Sequence, residues 1–293
     1  MTEPIPASPA QSSEETVERL LQRVGELPPM PIVAQKALAM IRNPNSSMAE
    51  LADVLALDQA MAGLVLRWAN SAYFGLRSPV TTVRQAVVYL GQNAIQSLVM
   101  AASLAAFINR PAPGYGLERG ELWKHSVGVA AGARLVAAKF GKAIAEDAYH
   151  AGLLADIGKL AFEALLRDID TSTPEWQAQS FVDLEVAHFG VDHATLGAEI
   201  ARRWNLPNAL VEAIAYHHRP AQAKEGAVLA AAVHIADASI MMLGIGLGRD
   251  GLQYPLDPAA CERMGWTEVG FYDLADKVAP LINETEAFLQ VKR

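Results

Sequence analysis

Residues 152–160 read Gly-Leu-Leu-Ala-Asp-Ile-Gly-Lys-Leu and place one aspartate, Asp156, inside an apolar run. A buried carboxylate is unfavourable unless it is paired, hydrogen-bonded or bound to a metal ion. Histidines occur on both sides of this run, and a second candidate carboxylate, Asp237, follows them. The run therefore raises the question of whether these distant side chains meet Asp156 in a metal site.

The apolar residues around this run recur at spacings of three and four. Almost every segment of the 293-residue chain is rich in Ala, Leu and Val in this pattern, and the alternation typical of strands is nearly absent. The pattern predicts an all-α protein organised as a two-part helical bundle. The predicted helices span about residues 14–24, 32–42, 48–57, 59–69, 82–91, 93–109, 117–140, 146–167, 175–189, 193–204, 208–217, 226–243 and 269–290.

The clearest break in composition is Arg-Pro-Ala-Pro-Gly-Tyr-Gly at residues 110–116. Because proline and glycine interrupt helices, we place a boundary there between two helical subdomains, 14–110 and 111–293. Residues 1–13 lack the basic start and apolar core of a signal peptide, and we expect a disordered tail. We expect residues 244–266 to form an irregular excursion. Its glycine-rich part, 244–251, should be a mobile surface loop, because it lacks the Gly-Lys-Ser/Thr ending of a phosphate-binding loop.

Composition excludes several classes of function. The formal net charge is −8, whereas binding to nucleic acid needs a basic face. A single cysteine, Cys261, rules out an internal disulfide framework and a cysteine-based zinc site, which fits a reducing cytoplasm. There is no uncharged apolar run long enough for a membrane span. These features predict a cytoplasmic protein that binds neither nucleic acid nor membranes.

Histidines and aspartates supply the candidate metal ligands. Neutral imidazole nitrogen and ionised carboxylate oxygen are the atoms that hold divalent ions in phosphoester hydrolases, and helices hold such ligands rigidly. His217 and His218 are adjacent and cannot share one helix face, but they precede Pro220 at a helix end, where both rings could turn towards one place. The candidate set is His125, Asp156, His193, His217, His218 and Asp237.

Each candidate also has a purely structural interpretation. A lone histidine on an Ala/Leu helix is usually half-buried and hydrogen-bonded to a carbonyl group, which is what we expect for His150, His188 and His234. For Asp156 alone, a hydrogen bond to backbone or an ion pair with Lys159 would be sufficient. Spacing alone leaves both interpretations open.

Two sets of motifs resemble known families. His125 in Leu-Trp-Lys-His-Ser, Ala155-Asp156-Ile-Gly-Lys, His193 in Asp-His-Ala-Thr-Leu-Gly, the pair His217-His218, and Asp237 in His-Ile-Ala-Asp-Ala resemble the HD superfamily of metal-dependent phosphohydrolases. Upstream, residues 27–31 (Leu-Pro-Pro-Met-Pro), 66–75 (Leu-Arg-Trp-Ala-Asn-Ser-Ala-Tyr-Phe-Gly) and 79–91 resemble the HDOD branch of that superfamily. The resemblance implies one domain over about residues 20–290, in which an N-terminal helical subdomain packs on an HD-like bundle.

The resemblance also implies that the metal site is degenerate. Ala155 stands where the superfamily has the histidine of its His-Asp doublet, and alanine has no ligand atom. The first metal position would then depend on His125, Asp156 and Asp237, while the second keeps Asp156, His193, His217 and His218. A metal-free pocket must satisfy its own polar groups, so we expect His125 and Asp156 to exchange a hydrogen bond, with Asp237 nearby.

HDOD proteins are bacterial signalling proteins that generally lack a complete HD site. The resemblance therefore implies a non-enzymatic regulator without catalytic residues, which contacts other signalling proteins and needs no cofactor beyond, at most, one divalent ion. Aromatic and arginine side chains dominate interaction hot spots. The candidate contact residues are Arg67, Trp68, Asn70, Tyr73 and Phe74, although Trp68 and Phe74 could instead pack the subdomains together. The alternative is a metal-dependent phosphohydrolase or cyclic-dinucleotide phosphodiesterase.

Overall fold

Helices joined by turns make up the described part of the chain. The computed structural model describes residues 13–24, 32–43, 45–70, 78–166, 169–249 and 251–289. Within these ranges there is no strand, only one isolated antiparallel bridge between Ala112 and Leu117. The predicted all-α fold is therefore confirmed. None of the described helices combines the length and the apolar character that a bilayer crossing requires.

The helix bounds are as follows. The α-helices are α1 (Ser13–Val24), α2 (Ile32–Arg42), α3 (Met48–Ala56), α4 (Gln59–Ala69), α5 (Val83–Ile108), α6 (Glu121–Ala137), α7 (Lys142–Leu154), α8 (Gly158–Leu166), α9 (Pro174–Ala178), α10 (Phe181–Phe189), α11 (His193–Arg203), α12 (Asn208–Tyr216), α13 (Ala227–Met242), α14 (Pro258–Met264) and α15 (Glu268–Leu289). Short 3₁₀ segments lie at Pro113–Tyr115, Ala138–Phe140 and Pro220–Gln222.

Local capping explains where several of these helices begin. Ser47 Oγ accepts a hydrogen bond from Glu50 N (3.1 Å), and the Glu50 carboxylate accepts one from Ser47 N (2.9 Å), so the two residues form a capping box at the start of α3. Asp58 caps α4 by accepting from Met61 N at 3.0 Å. In α5, Gly91 has a left-handed φ of 76°, which separates the two helices predicted on either side of it.

The chain divides into two compact units. One comprises Met1–Leu27 and Ile108–Ala279, and the other comprises Pro28–Phe107 and Pro280–Arg293. The division at Ile108 lies close to the boundary predicted at residue 110. Helix α1, predicted to belong to the N-terminal subdomain, instead packs on α8 and α11. Its buried apolar face, which includes Val17, Leu20 and Leu21, accounts for this placement.

The core of the unit that contains α6–α14 is organised around α13. This helix is buried over almost all of its length and packs against α6, α7, α12 and α14. Its sequence is apolar on every side, which is typical of a central helix. Glycine allows close approach of α7 to α6, since a Cβ at Gly152 would lie 2.9 Å from Ala130 Cα.

The structure corrects three parts of the helix prediction. The helix predicted over 146–167 is interrupted between Leu154 and Gly158, and that predicted over 175–189 is interrupted where Ser180 caps α10. Helix α14 lies inside the stretch predicted to be irregular, and Asp257 caps it by accepting from Ala260 N at 2.9 Å. The first interruption is the one that places Asp156.

Candidate metal centre

Asp156 lies in the short turn between α7 and α8, against the start of α11. A Cβ at Gly158 would lie 1.9 Å from His193 O and 2.7 Å from Gly197 N, so only glycine permits this approach. Backbone hydrogen bonds from Ile157 N to Leu154 O (3.0 Å) and from Lys159 N to Asp156 O (3.0 Å) hold the turn. The break in the helix therefore delivers the carboxylate to the N-terminus of α11.

The other candidate ligands come from four further positions in the fold. His193 is the first residue of α11, His217 is the residue that ends α12, and His218 follows it. The His217 and His218 ring centroids are 3.9 Å apart, so the helix end does turn both rings to one place, as predicted. His125 on α6 and Asp237 on α13 are buried side chains of neighbouring helices.

Four ligand atoms converge in a group that we call the triple-histidine cluster. It consists of Asp156, His193, His217 and His218, whose ligand atoms all lie within 4.8 Å of one another. Asp156 Oδ1 is 3.3 Å from His193 Nε2 and 3.9 Å from His217 Nε2, and His218 Nε2 is 3.0 Å from His193 Nε2. Among the residues that the structure describes, the buried atoms Asp156 Oδ1 and His217 Nε2 have no hydrogen-bond partner.

Hydrogen bonds on the far side of the rings decide which nitrogens carry protons. His217 Nδ1 donates to Ile214 O at 2.7 Å, and His193 Nδ1 donates to Glu185 Oε2 at 2.8 Å. In the neutral ring of each residue, Nε2 then presents a lone pair to the cluster. Burial lowers the pKa of His217, and burial with the neighbouring histidines lowers that of His218 well below its usual value, so both rings stay neutral.

This donor set fits a divalent metal ion. Three imidazole nitrogens and one carboxylate oxygen form a recognised ligand combination for first-row divalent metals, and the unpartnered acceptors face the same point. Without a metal, a proton takes that role. Burial lowers the pKa of His193, but the charge of Glu185, the contact with Asp156 and the hydrogen bond to Glu185 raise it to about 10. A metal would therefore displace the proton on His193 Nε2.

The remaining ligand atoms form a second group, which we call the paired cluster: His125, Asp156 and Asp237. His125 Nδ1 donates to Ile245 O (3.0 Å) and Nε2 donates to Asp237 Oδ1 (2.8 Å), so the ring carries both protons. Burial lowers the pKa of His125, but the hydrogen bond and charge of Asp237 outweigh it and leave the pKa raised. The predicted approach of His125 to Asp156 is confirmed at 3.3 Å, but the hydrogen bond predicted for this pair forms with Asp237 instead.

Lys159 completes the neutralisation of the paired cluster. Its Nζ donates to Asp156 Oδ2 at 3.0 Å, which is the ion pair expected in the structural interpretation of Asp156. Burial would raise the pKa of Asp156, but Lys159, His193 and His125 together hold it well below its usual value. The two oxygens of Asp156 thus differ, because Oδ2 faces cations and Oδ1 faces the triple-histidine cluster.

The three histidines interpreted as structural lie outside both clusters. His234 Nδ1 donates to His217 O (2.8 Å), as predicted, and its Nε2 accepts from Asp257 N (2.9 Å). His188 stacks on Trp176, with ring centroids 5.0 Å apart. His150 is fully buried rather than half-buried, and burial lowers its pKa to about 4.

Sequence reasoning missed Glu185 and Tyr115. Glu185 is 0% exposed and accepts hydrogen bonds from His193 N and Nδ1 and from Tyr115 Oη. The only signal for Glu185 was an acid in the middle of the mostly apolar helix α10, whose other acid, Asp183, lies in the first turn. The spacing along the chain did not identify its partner, since Tyr115 lies 70 residues away.

The segment predicted to be a surface excursion covers part of the site. Ile245 O accepts from His125 Nδ1, and a Cβ at Gly246, whose φ is +67°, would lie 2.5 Å from His125 Cβ. Further along, the Tyr254 ring stacks on His218 with centroids 4.9 Å apart. The segment therefore contacts one member of each cluster.

Only some of the predicted partner-contact residues lie in the part of the chain that the structure describes. Arg67 is exposed near the end of α4. Asn70 donates to Val80 O (2.8 Å) and accepts from Val80 N (2.7 Å), so its side chain ties the backbone of a later segment to the end of α4. Tyr73, Phe74 and the Trp68 side chain lie outside the described residues.

Comparison with solved structures shows the same fold. An HDOD domain protein of unknown function from Geobacter sulfurreducens is 25% identical, with a TM-score of 0.75 over 94% of this chain and 97% of that one. A candidate phosphohydrolase from Shewanella amazonensis is 25% identical, with a TM-score of 0.61 over 89% and 98%. A candidate signal transduction protein from Marinobacter aquaeolei is 22% identical, with a TM-score of 0.70 over 96% and 61%.

Sequence comparison identifies the family. An uncharacterised protein of Treponema pallidum is 26% identical over 229 residues, which are 76% of this chain and 44% of the relative. The chain thus spans less than half the length of that relative. The sequence model of the HDOD domain matches residues 27–220, about two thirds of the chain. On this match, and with the helical fold and the positions of the HD-type residues described above, the chain belongs to the HDOD family.

Proposed function

We propose that this protein is a regulator in signal transduction that acts through contacts with other proteins, and that its pocket holds at most one divalent cation. The observation that carries the proposal is the difference between the two clusters. Asp156 Oδ1 and His217 Nε2 in the triple-histidine cluster are unpartnered, whereas the carboxylates of the paired cluster already face His125 and Lys159. The triple-histidine cluster can accept a cation in place of one proton, whereas the paired cluster already faces two cationic groups, His125 and Lys159.

This difference bears directly on catalysis. Two-metal hydrolysis needs two ions that together clamp the attacking and leaving oxygens. A second ion would have to bind in the paired cluster, whose carboxylates already face His125 and Lys159. Residue 155 is a buried alanine and offers no further ligand atom for that ion. A single ion in the triple-histidine cluster would instead connect the α7–α8 turn, α11 and the end of α12 electrostatically. Such binding regulates a protein when the ion favours one conformation over another.

A metal-dependent phosphohydrolase is the second candidate function. It is favoured by the complete set of three imidazoles and one carboxylate, and by the likeness to the candidate phosphohydrolase from Shewanella amazonensis. Such an enzyme requires either a second ion in the paired cluster or turnover with one ion. The two candidates therefore differ in metal stoichiometry and in hydrolysis.

Metal stoichiometry and phosphodiester hydrolysis test the proposal. Protein purified without chelator is dialysed against Mn²⁺, Zn²⁺ or Co²⁺, and the bound metal is measured by elemental analysis. The same preparations are assayed with bis(p-nitrophenyl) phosphate and with cyclic dinucleotides. We expect no more than one ion per chain and no hydrolysis. Two ions per chain, or turnover that Asp156→Asn abolishes, would establish the enzyme instead.

A matched variant controls for adventitious binding. His188→Gln removes an imidazole that stacks on Trp176 and belongs to neither cluster, so it should leave the stoichiometry unchanged. For the protein contacts, Arg67→Ala and Trp68→Ala are compared with the native protein in pull-down experiments. Equal recovery of every partner by folded variants would remove this patch from the proposal.

A further inference from the structure

We propose that Glu185, held in place by Tyr115, is a positioning residue that presents His193 to the cation. The inference rests on the proposed function, because it concerns the same triple-histidine cluster. Neither residue offers a ligand atom to that cluster, and neither was among the candidate site residues.

Both oxygens of Glu185 are engaged in hydrogen bonds inside the protein. Oε2 accepts from His193 N at 2.7 Å and from His193 Nδ1 at 2.8 Å, so one oxygen holds both the backbone and the ring of the same residue. Oε1 accepts from Tyr115 Oη at 2.5 Å. The carboxylate therefore determines where the ring lies and which of its nitrogens faces the cluster.

The burial of this carboxylate needs an explanation beyond packing. Glu185 is 0% exposed, and placing a carboxylate in such an environment is unfavourable even when it is hydrogen-bonded. Its neighbours on α10 include Phe181, Val182 and Leu184, all buried, so an apolar side chain would suit the helix itself. An apolar side chain, however, could not accept the hydrogen bond from His193 Nδ1.

That proton decides whether His193 can serve as a ligand. With Nδ1–H directed at Glu185, the lone pair of the neutral ring is on Nε2, which faces Asp156 Oδ1 and His218 Nε2. A carboxylate behind a metal-bound histidine also raises the basicity of the ring and fixes its orientation. Removing such a partner typically weakens metal affinity by roughly 10- to 100-fold.

Tyr115 supports Glu185 from the segment before α6. Its ring is buried, packs against Phe181 at 4.7 Å between centroids and meets the His193 ring edge-on at 6.3 Å. The phenol group therefore approaches Glu185 on the oxygen opposite to His193. Removing only the hydroxyl should leave this packing intact while freeing one carboxylate oxygen.

The test measures Co²⁺ affinity and the visible spectrum of bound Co²⁺ in the full chain. We compare the native protein with Glu185→Gln, Tyr115→Phe and the matched control Glu163→Gln, whose carboxylate accepts from Gly114 N at 3.0 Å and belongs to neither cluster. We expect Glu185→Gln to bind Co²⁺ roughly 10- to 100-fold more weakly and to change its d–d bands. Tyr115→Phe should bind a few-fold more weakly, and Glu163→Gln should match the native protein.

The possible results separate failure of this inference from failure of the proposed function. If the native protein does not bind Co²⁺, this inference fails, whereas the proposed function, which allows at most one ion, is not contradicted. If the native protein binds it and folded Glu185→Gln binds it equally with the same spectrum, the inference alone fails. Should Glu185→Gln not fold, the Tyr115→Phe variant decides: unchanged affinity and spectrum overturn the inference, and weaker binding supports it. A fall in melting temperature without change in affinity would indicate a purely structural role and would also overturn it.

Discussion

In the Gly158→Ala substitution, the local helix propensity and the tertiary contact with α11 predict opposite effects on stability. Gly158 is the first residue of α8, and alanine is favoured over glycine within helices by about 0.5–1 kcal/mol. Local propensity alone would therefore predict no loss of stability. The structure predicts the opposite, because a Cβ there would lie 1.9 Å from His193 O and 2.7 Å from Gly197 N.

The size of the effect follows from that distance. Contacts of Cβ atoms below 3.0 Å are essentially never tolerated, so α8 and α11 would have to separate by about 1.1 Å. Both clashing atoms belong to the backbone of α11 and cannot rotate away. Overpacking of this kind costs about 1–3 kcal/mol, and we expect the free energy of unfolding to fall by about 2 kcal/mol. A metal site needs its ligands within about 0.5 Å, so Co²⁺ affinity should fall at least tenfold.

Urea unfolding followed by far-UV circular dichroism, together with Co²⁺ titration, measures both effects. Gly63→Ala is the matched control, because an added Cβ in the middle of α4 meets nothing within 4 Å. We expect this control to gain about 0.5–1 kcal/mol and to bind Co²⁺ normally. If Gly158→Ala is as stable as Gly63→Ala and also binds Co²⁺ normally, the close approach of the α7–α8 turn to α11 is not as described.

Three further predictions concern a buried histidine, the paired cluster and a helix cap. Burial lowers the pKa of His150 to about 4 in the folded protein, so between pH 6.5 and 4 the unfolded chain binds one more proton at this residue than the folded chain does. Lowering the pH from 7.5 to 5.0 should therefore reduce the free energy of unfolding by about 2 kcal/mol. The His150→Gln variant should not show this loss. Urea unfolding at both pH values checks this, and equal losses in the two proteins would contradict it. Lys159→Met removes the ammonium from Asp156 Oδ2, and calorimetry should show Co²⁺ bound roughly tenfold more tightly; weaker binding would mean that Lys159 does not oppose the ion. Ser47→Ala removes the N-cap of α3 and should lower the free energy of unfolding by about 1 kcal/mol in urea unfolding, whereas Ser46→Ala, one residue outside the cap, should be neutral.

The amino-acid sequence was sufficient for those features that depend on neighbouring residues. The helix that begins with the capping box at Ser47, the helix that Asp58 caps and the break at Gly91 all lie where the sequence predicts them. Each depends on contacts within about four residues or on the conformational freedom of a single glycine. The same holds for His217 and His218, which end a helix together and therefore share one side of the pocket.

The sequence also indicated the ligand types. Six histidine and aspartate residues were proposed, and the two clusters consist of those six. Motif resemblance made this possible, because the spacing between His125 and Asp237 alone carries no information about their distance in space. The positions match the prediction, while the binding of an ion to them is still a proposal.

The protonation pattern of the site could not be predicted from the chain. Whether a ring nitrogen is a donor or an acceptor depends on the group behind it, and for His193 and His125 those groups are Glu185 and Ile245 O. Ile245 is separated from His125 by 120 residues, and Tyr115 from Glu185 by 70. Burial, hydrogen bonding and charge act through space, so sequence separation does not reveal them.

The range over which an interaction acts explains why the helix boundaries could be predicted from the sequence and the position of Asp156 could not. Helix boundaries are decided by short-range backbone hydrogen bonds, which nearby side chains complete or interrupt. The break that delivers Asp156 is different, because it requires a glycine at residue 158 to fit the backbone of α11, and the local sequence shows only an apolar helical run there. Local chemistry thus shaped the helices, and long-range packing decided which ligand atoms face one another in the pocket.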